Sequence, residues 1–200
     1  MVAGDSKGAL RGELISARLR MSLTDRAHSS DAIARRLLGL DAYLKSRTVA
    51  LYAPLGGEVD TGAIARSATA QGKRLAFPLL VPGERAMRFA FCPATSLVPG
   101  TSRALEPPPD APIAPLSDLD LLLIPGVAFD PQGWRLGRGR GHYDATLAAL
   151  PAAALRVGLA FELQIVPSVP REAHDAQLDA VVTEARVILA PPRVAELSPI

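Results

Sequence analysis

The stretch from Leu119 to Asp144 limits what this chain can fold into more than any other. Leu119, Leu121, Leu122, Leu123 and Ile124 make a short, nearly unbroken apolar run, ended by Pro125-Gly126. A run of that length between turn residues predicts a strand covered on both faces, as in a parallel α/β sheet. The loop after it carries Arg135, Gly137, Arg138, Gly139, Arg140 and Gly141. His142-Tyr143-Asp144 then opens a helical pattern, with Leu147 and Leu150 at helical spacing from Tyr143. A glycine-rich loop between a strand and a helix lets backbone N–H groups close around an anion. The helix start adds its orphan donors and the positive end of its dipole. Arginines interleaved with these glycines make phosphate the expected anion, because guanidinium matches phosphate oxygens bidentately. The loop lacks the Gly-Lys-Ser/Thr ending of a Walker A motif, and its glycines do not follow the dinucleotide fingerprint. Arg/Gly repeats also occur in solvated RNA-binding tails. Such a tail is not normally framed by a buried strand and an apolar helix.

Two hundred residues suit one domain with a good core. We therefore expect a single domain over 1–200, with 190–200 as a Pro-rich peripheral tail. Hydrophobic residues make up 48% of the chain and aromatic ones only 4%, so the core is expected to be aliphatic. A formal charge of +2 accommodates an anionic substrate, and without a long basic run it does not argue for nucleic acid. The single cysteine, Cys92, excludes an internal disulfide and a Cys-based metal site, and points to a reduced, cytosolic setting. No apolar stretch approaches the ~18 residues of a membrane span, and the N-terminus lacks a secretory h-region. The expected partners are small molecules rather than nucleic acid or membrane, and the expected state is a monomer or weak homo-oligomer.

In chain order, residues 6–21 read as a helix with Leu10, Leu14, Ala17 and Met21 on one face and Lys7, Arg11, Arg18 and Arg20 on or near the other. A second helix starts at Ser22-Leu-Thr24-Asp25, with Thr24 or Asp25 as N-cap, and runs to about Leu44 with Ala27, Ile33, Leu37 and Leu38 inward. Gly39 marks a break in it, and the lone His28 has no assigned role. Residues 48–52, 74–78, 87–91, 155–161, 180–183 and 187–189 read as strands, and 61–71 as a helix with Asp60 placed to cap it. Residues 93–115 are Pro-rich and read as an irregular connector. Strands alternating with helices predict an α/β fold: a mostly parallel sheet with helices on both faces. Ligands of such sheets collect at the carboxyl ends of the strands. The loops after the strands ending at Tyr52, Ile124 and Phe161 should therefore converge.

The central stretch also carries a resemblance. Pro125-Gly126 with Phe129-Asp130, then Arg135-Leu136-Gly137-Arg138-Gly139-Arg140-Gly141-His142-Tyr143-Asp144, resembles the 5-formyltetrahydrofolate cyclo-ligase family. His142 stands where Tyr is more usual. Lys7-x-x-Leu-Arg11 resembles that family's N-terminal signature, Gly56-Gly57-Glu58 its segment after the first strand, and Glu106-Pro107 its Glu-Pro. The likeness extends from Lys7 to about Asp179. It implies ATP binding by Lys7, Arg11 and the run Arg135, Leu136, Gly137, Arg138, Gly139, Arg140, Gly141, His142 and Tyr143. It implies folate contacts at Ala53 and Glu58 and along Arg138, Gly139, Arg140, Gly141 and His142. A carboxylate such as Glu58 suits a pterin because it accepts two parallel N–H bonds. The resemblance further implies Mg²⁺ at Asp144, with Asp175, or alternatively Asp179, completing the shell; a turn cap is the bland alternative for Asp175.

The activity implied is ATP-dependent closure of 5-formyltetrahydrofolate to 5,10-methenyltetrahydrofolate through a phosphorylated formyl oxygen, with Arg138 and Arg140 stabilising the moving phosphoryl group. Two other readings stand beside it. A noncatalytic phosphate- or RNA-binding module would use the Arg/Gly loop on a nucleic-acid backbone, and a sugar-phosphate isomerase would use a similar sheet.

Overall fold

Alternation along the strands decides where the core lies. In β7 (Leu121–Ile124), Leu121 and Leu123 enter one apolar cluster and Leu122 and Ile124 another. Successive side chains of a strand point to opposite faces, so a strand made only of leucine and isoleucine must be covered on both. The same split occurs in β1 (Thr48–Ala50), where Val49 and Ala50 divide between the clusters, and in β2 (Arg74–Leu79), where Leu75 and Phe77 oppose Ala76.

The computed structural model describes residues 3–100 and 104–192. Its remaining strands are β3 (Arg88–Phe91), β4 (Val98–Pro99), β5 (Leu105–Glu106), β6 (Ile113–Ala114), β8 (Ala128–Phe129), β9 (Arg135–Leu136), β10 (Leu155–Leu159), β11 (Ala180–Val182) and β12 (Val187–Leu189). The main sheet has the order β12-β11-β10-β7-β1-β2-β3-β6. The pairings from β11 through β10, β7 and β1 to β2 are parallel, and the three outer pairings are antiparallel. Helices α2 (Leu23–Leu38) and α4 (Gly62–Ala70) bury Ile33, Leu37, Ile64 and Ala68 against one face. Helix α5 (His142–Ala149) brings Leu147 to the other. The expected α/β architecture with helices on both faces is the one observed. No described helix is long and apolar enough to cross a membrane.

Several local expectations are corrected. The N-cap of α2 is Ser22, not Thr24 or Asp25: the Ser22 hydroxyl accepts from Asp25 N at 3.0 Å and donates to the Asp25 carboxylate at 2.7 Å. The helix stops at Leu38, and Asp41–Lys45 form a separate short helix, α3. Ala27 is exposed rather than inward. The connector over 93–115 contains β4, β5 and β6, the last of which extends the main sheet. In the expected tail, Ala190 N donates to Asp179 O, and the Ala190 methyl lies beside Gly133; residues 193–200 lie outside the described residues.

The largest correction concerns α1 (Ala3–Arg20). Its inward stripe is Lys7, Leu14 and Arg18, all buried, with Arg11 half-buried. Positions 7, 11, 14 and 18 follow the helical period, so cations and leucine share one face. The expected separation of an apolar face from a cationic one does not hold, because the helix packs over a site built from carbonyls and carboxylates. Leu14 itself rests on Val127, Ala128 and Leu136 of the β8–β9 hairpin. Asp130 holds that hairpin's turn by accepting from the N–H groups of Gln132, Trp134 and Val169 at 2.9–3.0 Å.

Phe129, fully buried, is wedged over the sheet where a side chain on Gly158 would stand: a Cβ there would lie 2.7 Å from its ring and 2.9 Å from Leu178. Gly158→Ala should therefore cost about 1–3 kcal/mol by overpacking. Urea unfolding checks this, and an unchanged midpoint would mean that the ring yields freely.

Candidate active site

The connections out of the sheet diverge between β1 and β7. From β1 the chain goes through α4 to β2 on one side, and from β7 through α5 to β10 on the other. Such a switch point leaves a crevice at the carboxyl ends of the two strands. The crevice is a cleft of about 670 Å³. The segment after β1 supplies Ala53 and Glu58 to it, and the segment after β7 supplies the arginine loop. The start of α1 adds Lys7 and Arg11, the turn between β2 and β3 adds Arg85, and the approach to β11 adds Asp175. Every residue expected to bind ATP, folate or metal lines this one cleft, apart from Asp179 as the alternative metal ligand. Asp179 lies elsewhere and accepts from Arg156 N at 2.7 Å. Asp60 serves α4, accepting from Gly62 N at 2.8 Å.

Glu58 and Arg138 meet at the centre. Arg138 donates from Nε and Nη2 to one Glu58 carboxylate oxygen at 3.1 and 3.0 Å, and from Nη2 to Leu55 O at 3.0 Å. The other Glu58 oxygen accepts from Leu55 N at 2.9 Å. The Glu58 side chain is 8% exposed and that of Arg138 44%, so the carboxylate is fixed from below and the guanidinium covers it from the solvent side. Arg135 is placed differently. Its side chain is 2% exposed and donates to Asp144 Oδ1 at 2.7 Å. Burial pushes the Arg135 guanidinium pKa down, while the neighbouring Asp144 charge opposes the shift. Ala176 N also donates to that Asp144 oxygen, at 3.4 Å.

Lys7 donates to Asp175 at 3.2 Å and pairs with Glu172 at 3.0 Å. Burial works against its charge, yet the bonds to Glu172 and Asp175 outweigh that and hold the ammonium pKa above its usual value. Arg11 donates to Gly137 O at 2.9 Å, which ties the arginine loop to α1. Gly139 and Gly141 have φ of +93° and +70°, a region open to glycine at little cost. Gly141 also caps α5 without a side-chain hydrogen bond, leaving the helix's first N–H groups for a ligand. Burial pushes the Tyr143 phenol pKa up; the Glu58 charge adds to the shift and Arg135 opposes it.

Among the residues that sequence reasoning did not assign to the site, Arg18, Glu106 and Arg85 matter most. Arg18, 1% exposed, donates to Gly126 O at 3.3 Å and to Gly56 O at 3.1 Å. It thus staples together the two loops that form the crevice. Its place on the 7-11-14-18 stripe was the available signal. Glu106, expected to lie in a connector, is buried and lines the cleft. Arg85 also lines it, and nothing in the local sequence marks it.

A mostly parallel sheet with a cation-lined cleft at its switch point, a helix start left open and a buried carboxylate beside it defines an α/β protein whose site suits an anionic ligand. The chain belongs to the 5-formyltetrahydrofolate cyclo-ligase family, whose sequence model matches residues 3–184. The 5-formyltetrahydrofolate cyclo-ligase of Escherichia coli K12 is 35% identical over 158 residues, covering 77% of this chain and 87% of the relative. The mouse protein of the same name is 28% identical over 195 residues, covering 92% and 96%. The solution structure of Aquifex aeolicus 5,10-methenyltetrahydrofolate synthetase superposes with a TM-score of 0.81 at 32% identity, covering 95% of this chain and 96% of that one. Membership places the chain among ligases, which decides against the isomerase and the noncatalytic module.

The buried Arg135–Asp144 pair makes a prediction. Asp144→Asn keeps an acceptor but removes the countercharge of a guanidinium enclosed by protein. Removing one partner of a buried pair is more costly than its absence from the design. Even without nucleotide, the variant should lose roughly 1–3 kcal/mol of stability. A melting curve superimposable on wild type would show that Arg135 finds another partner.

Proposed function

We propose that this protein cyclises 5-formyltetrahydrofolate to 5,10-methenyltetrahydrofolate with consumption of ATP, releasing ADP and phosphate. The observation that carries this reading is the contact between Glu58 and Arg138. The formyl group to be activated sits on N5 of the pterin ring, so the pterin acceptor and the phosphoryl-handling loop must adjoin. In this cleft they touch.

An N-formyl amide is a weak electrophile, and its oxygen is a poor leaving group. Phosphorylation of that oxygen by the γ-phosphoryl of ATP gives an iminium phosphate. N10 then attacks the iminium carbon and loses its proton to water, and the C–O bond breaks with the electron pair leaving on phosphate. Glu58 accepts two N–H bonds from the aminopyrimidinone edge of the pterin, in place of those it accepts from Arg138. Arg138 is thereby released toward the transferring phosphoryl group, where a charge-assisted, bidentate contact is available to it. Arg140, exposed on the same loop, adds a second cation to the charge on the equatorial oxygens. The N–H groups at the start of α5 and the loop glycines hold the remaining phosphates. Arg11 keeps the loop in register through Gly137 O, and Arg18 holds the two loops at the spacing the in-line transfer requires.

The donor set also fits Mg²⁺. Among the described residues no group of three or more His, Cys, Asp or Glu side chains stands ready for a metal. An all-protein cage is therefore absent, as suits an ion that is commonly held by one or two carboxylates, phosphate oxygens and water. Asp144 Oδ1 is taken by Arg135 and Asp175 Oδ2 by Lys7, which leaves Asp144 Oδ2 for the ion, and Asp175 Oδ1 with His174 Nε2 at 3.9 Å. When bound, Mg²⁺ neutralises charge on the nucleotide phosphates.

The test is the absorbance of methenyltetrahydrofolate formed from 5-formyltetrahydrofolate, ATP and Mg²⁺; a flat trace sinks the reading. Arg138→Ala should lower turnover by roughly 10- to 100-fold, the loss expected of one charge-assisted contact. Glu58→Gln should raise KM for the folate far more than KM for ATP, because an amide cannot accept both pterin N–H bonds. Equal losses for the two substrates would misplace the pterin subsite.

A further inference from the structure

Among the described residues, six cationic side chains line the cleft: Lys7, Arg11, Arg85, Arg135, Arg138 and Arg140. Four have partners already described, in Asp175 and Glu172, Gly137 O, Asp144 and Glu58 respectively. Among the described residues, the guanidinium groups of Arg85 and Arg140 have no hydrogen-bond or ion-pair partner. Arg140 belongs to the phosphate loop and has a use in the proposed reaction. Arg85 has none there.

Arg85 is nevertheless held in place. It lies in the turn between β2 and β3, which α5 fixes at two points. His142 Nδ1 donates to the Arg85 carbonyl at 2.9 Å, and Thr146 Oγ1 accepts from Met87 N at 2.9 Å in a buried bond. His142, in a position where the family more often has Tyr, thus tethers the backbone that presents Arg85. A well-anchored backbone presenting an exposed and unpaired arginine to a cleft is arranged for an anion supplied from outside.

Strand order indicates which anion. The sheet runs β11-β10-β7-β1-β2-β3. Asp175, which pairs with Lys7, precedes β11, so this end of the cleft lies on the β10–β11 side of the crevice between β7 and β1. Glu58 follows β1 at the crevice itself. The Arg85 turn lies one to two strands beyond, on the opposite side from Lys7 and Asp175. Neighbouring strands are about 4.8 Å apart, so the turn stands roughly 5–10 Å beyond the end of β1, and the Arg85 guanidinium reaches back toward Gly141, where a Cβ would lie 3.5 Å from its Nη2. Pro78, Leu80 and Met87 line the cleft at the end of β2 and in the turn. From Glu58 outward the sequence of surfaces is therefore carboxylate, apolar strip, cation. A reduced folate has the complementary order: a pterin with N–H donors, an aminobenzoyl ring, and a glutamate with two carboxylates.

We propose that Arg85 binds a carboxylate of the glutamyl tail and so gives the enzyme its preference for folates over tail-less pteroates. This rests on the folate-cyclising reading above and adds a specificity-determining residue to it. Because Arg85 is exposed, its contribution is screened by salt.

The experiment compares wild type, Arg85→Gln and Arg85→Lys on 5-formyltetrahydrofolate and on 5-formyltetrahydropteroate, which lacks the glutamate. The Gln variant should raise KM for the folate roughly five- to tenfold at low ionic strength, with kcat and KM for ATP unchanged. The ratio of variant to wild-type KM should approach one with the pteroate and shrink for the folate as salt is added. The Lys variant should recover part of the loss, and equal melting midpoints would show the fold intact. The same ratio for both substrates, or a rise in KM for ATP, would overturn the assignment and make Arg85 a phosphate ligand or a packing residue. Kinetics of Arg85→Gln indistinguishable from wild type on the folate would overturn it as well, with the reaction assignment intact. A wild type that forms no methenyltetrahydrofolate from either substrate would remove the reaction assignment and this proposal together.

Discussion

The Glu58–Arg138 ion pair depends on where the sheet reverses its winding, and much of the molecule depends on that pair in turn. Parallel strands must be covered on both faces, so their connections are helical and their loops gather at the two edges of the sheet. Between β1 and β7 those connections part in opposite directions, and α1 lies over the gap with Lys7, Arg11 and Arg18 turned into it. Two loops distant in sequence are left facing each other, one ending in Glu58 and the other carrying Arg138, with 3.0 Å between their charged groups. The core below supplies rigidity: Leu121, Leu123, Val49 and Leu51 are all within 1% of full burial.

The cleft is crowded with charge, yet almost all of it is paired. Lys7, Arg135 and Arg138 are each matched to a carboxylate. A buried ion that loses its partner costs several kcal/mol, so an empty site lined with unpaired cations would be hard to maintain. Pairing these three cations to carboxylates keeps the free site stable. In the proposed reaction a pterin that takes the Glu58 carboxylate releases the Arg138 guanidinium for the phosphoryl group.

Arg18 shows a different use of a buried cation. Among the described residues it has no carboxylate partner in hydrogen-bond contact, and it spends two of its donors on the carbonyls of Gly56 and Gly126. Burial lowers its pKa, with the Glu58 charge opposing and that of Arg138 adding. Carbonyl groups from two loops are thereby turned inward toward one guanidinium. It joins the same two loops that Arg138 links through Glu58 and Leu55 O.

The apolar runs, the glycine-arginine loop and the helix starts were legible because they depend on neighbours within a few residues. An unbroken leucine run needs two covered faces wherever it folds, and glycines at 139 and 141 allow positive φ whatever surrounds them. The family likeness rests on the same local strings. What the sequence by itself determined was therefore the layered α/β class and the glycine-arginine loop within it. The tertiary structure alone decided the partners. It turned the Lys7–Arg18 stripe inward, assigned Arg135 to Asp144 and Arg138 to Glu58, and brought Arg85 over the cleft through His142. Arg138 and Glu58 are 80 residues apart, and Lys7 and Asp175 are 168 apart. An arginine's local sequence is the same whether it faces water, a carbonyl or a carboxylate. Only the closing of the sheet fixes which of these it meets.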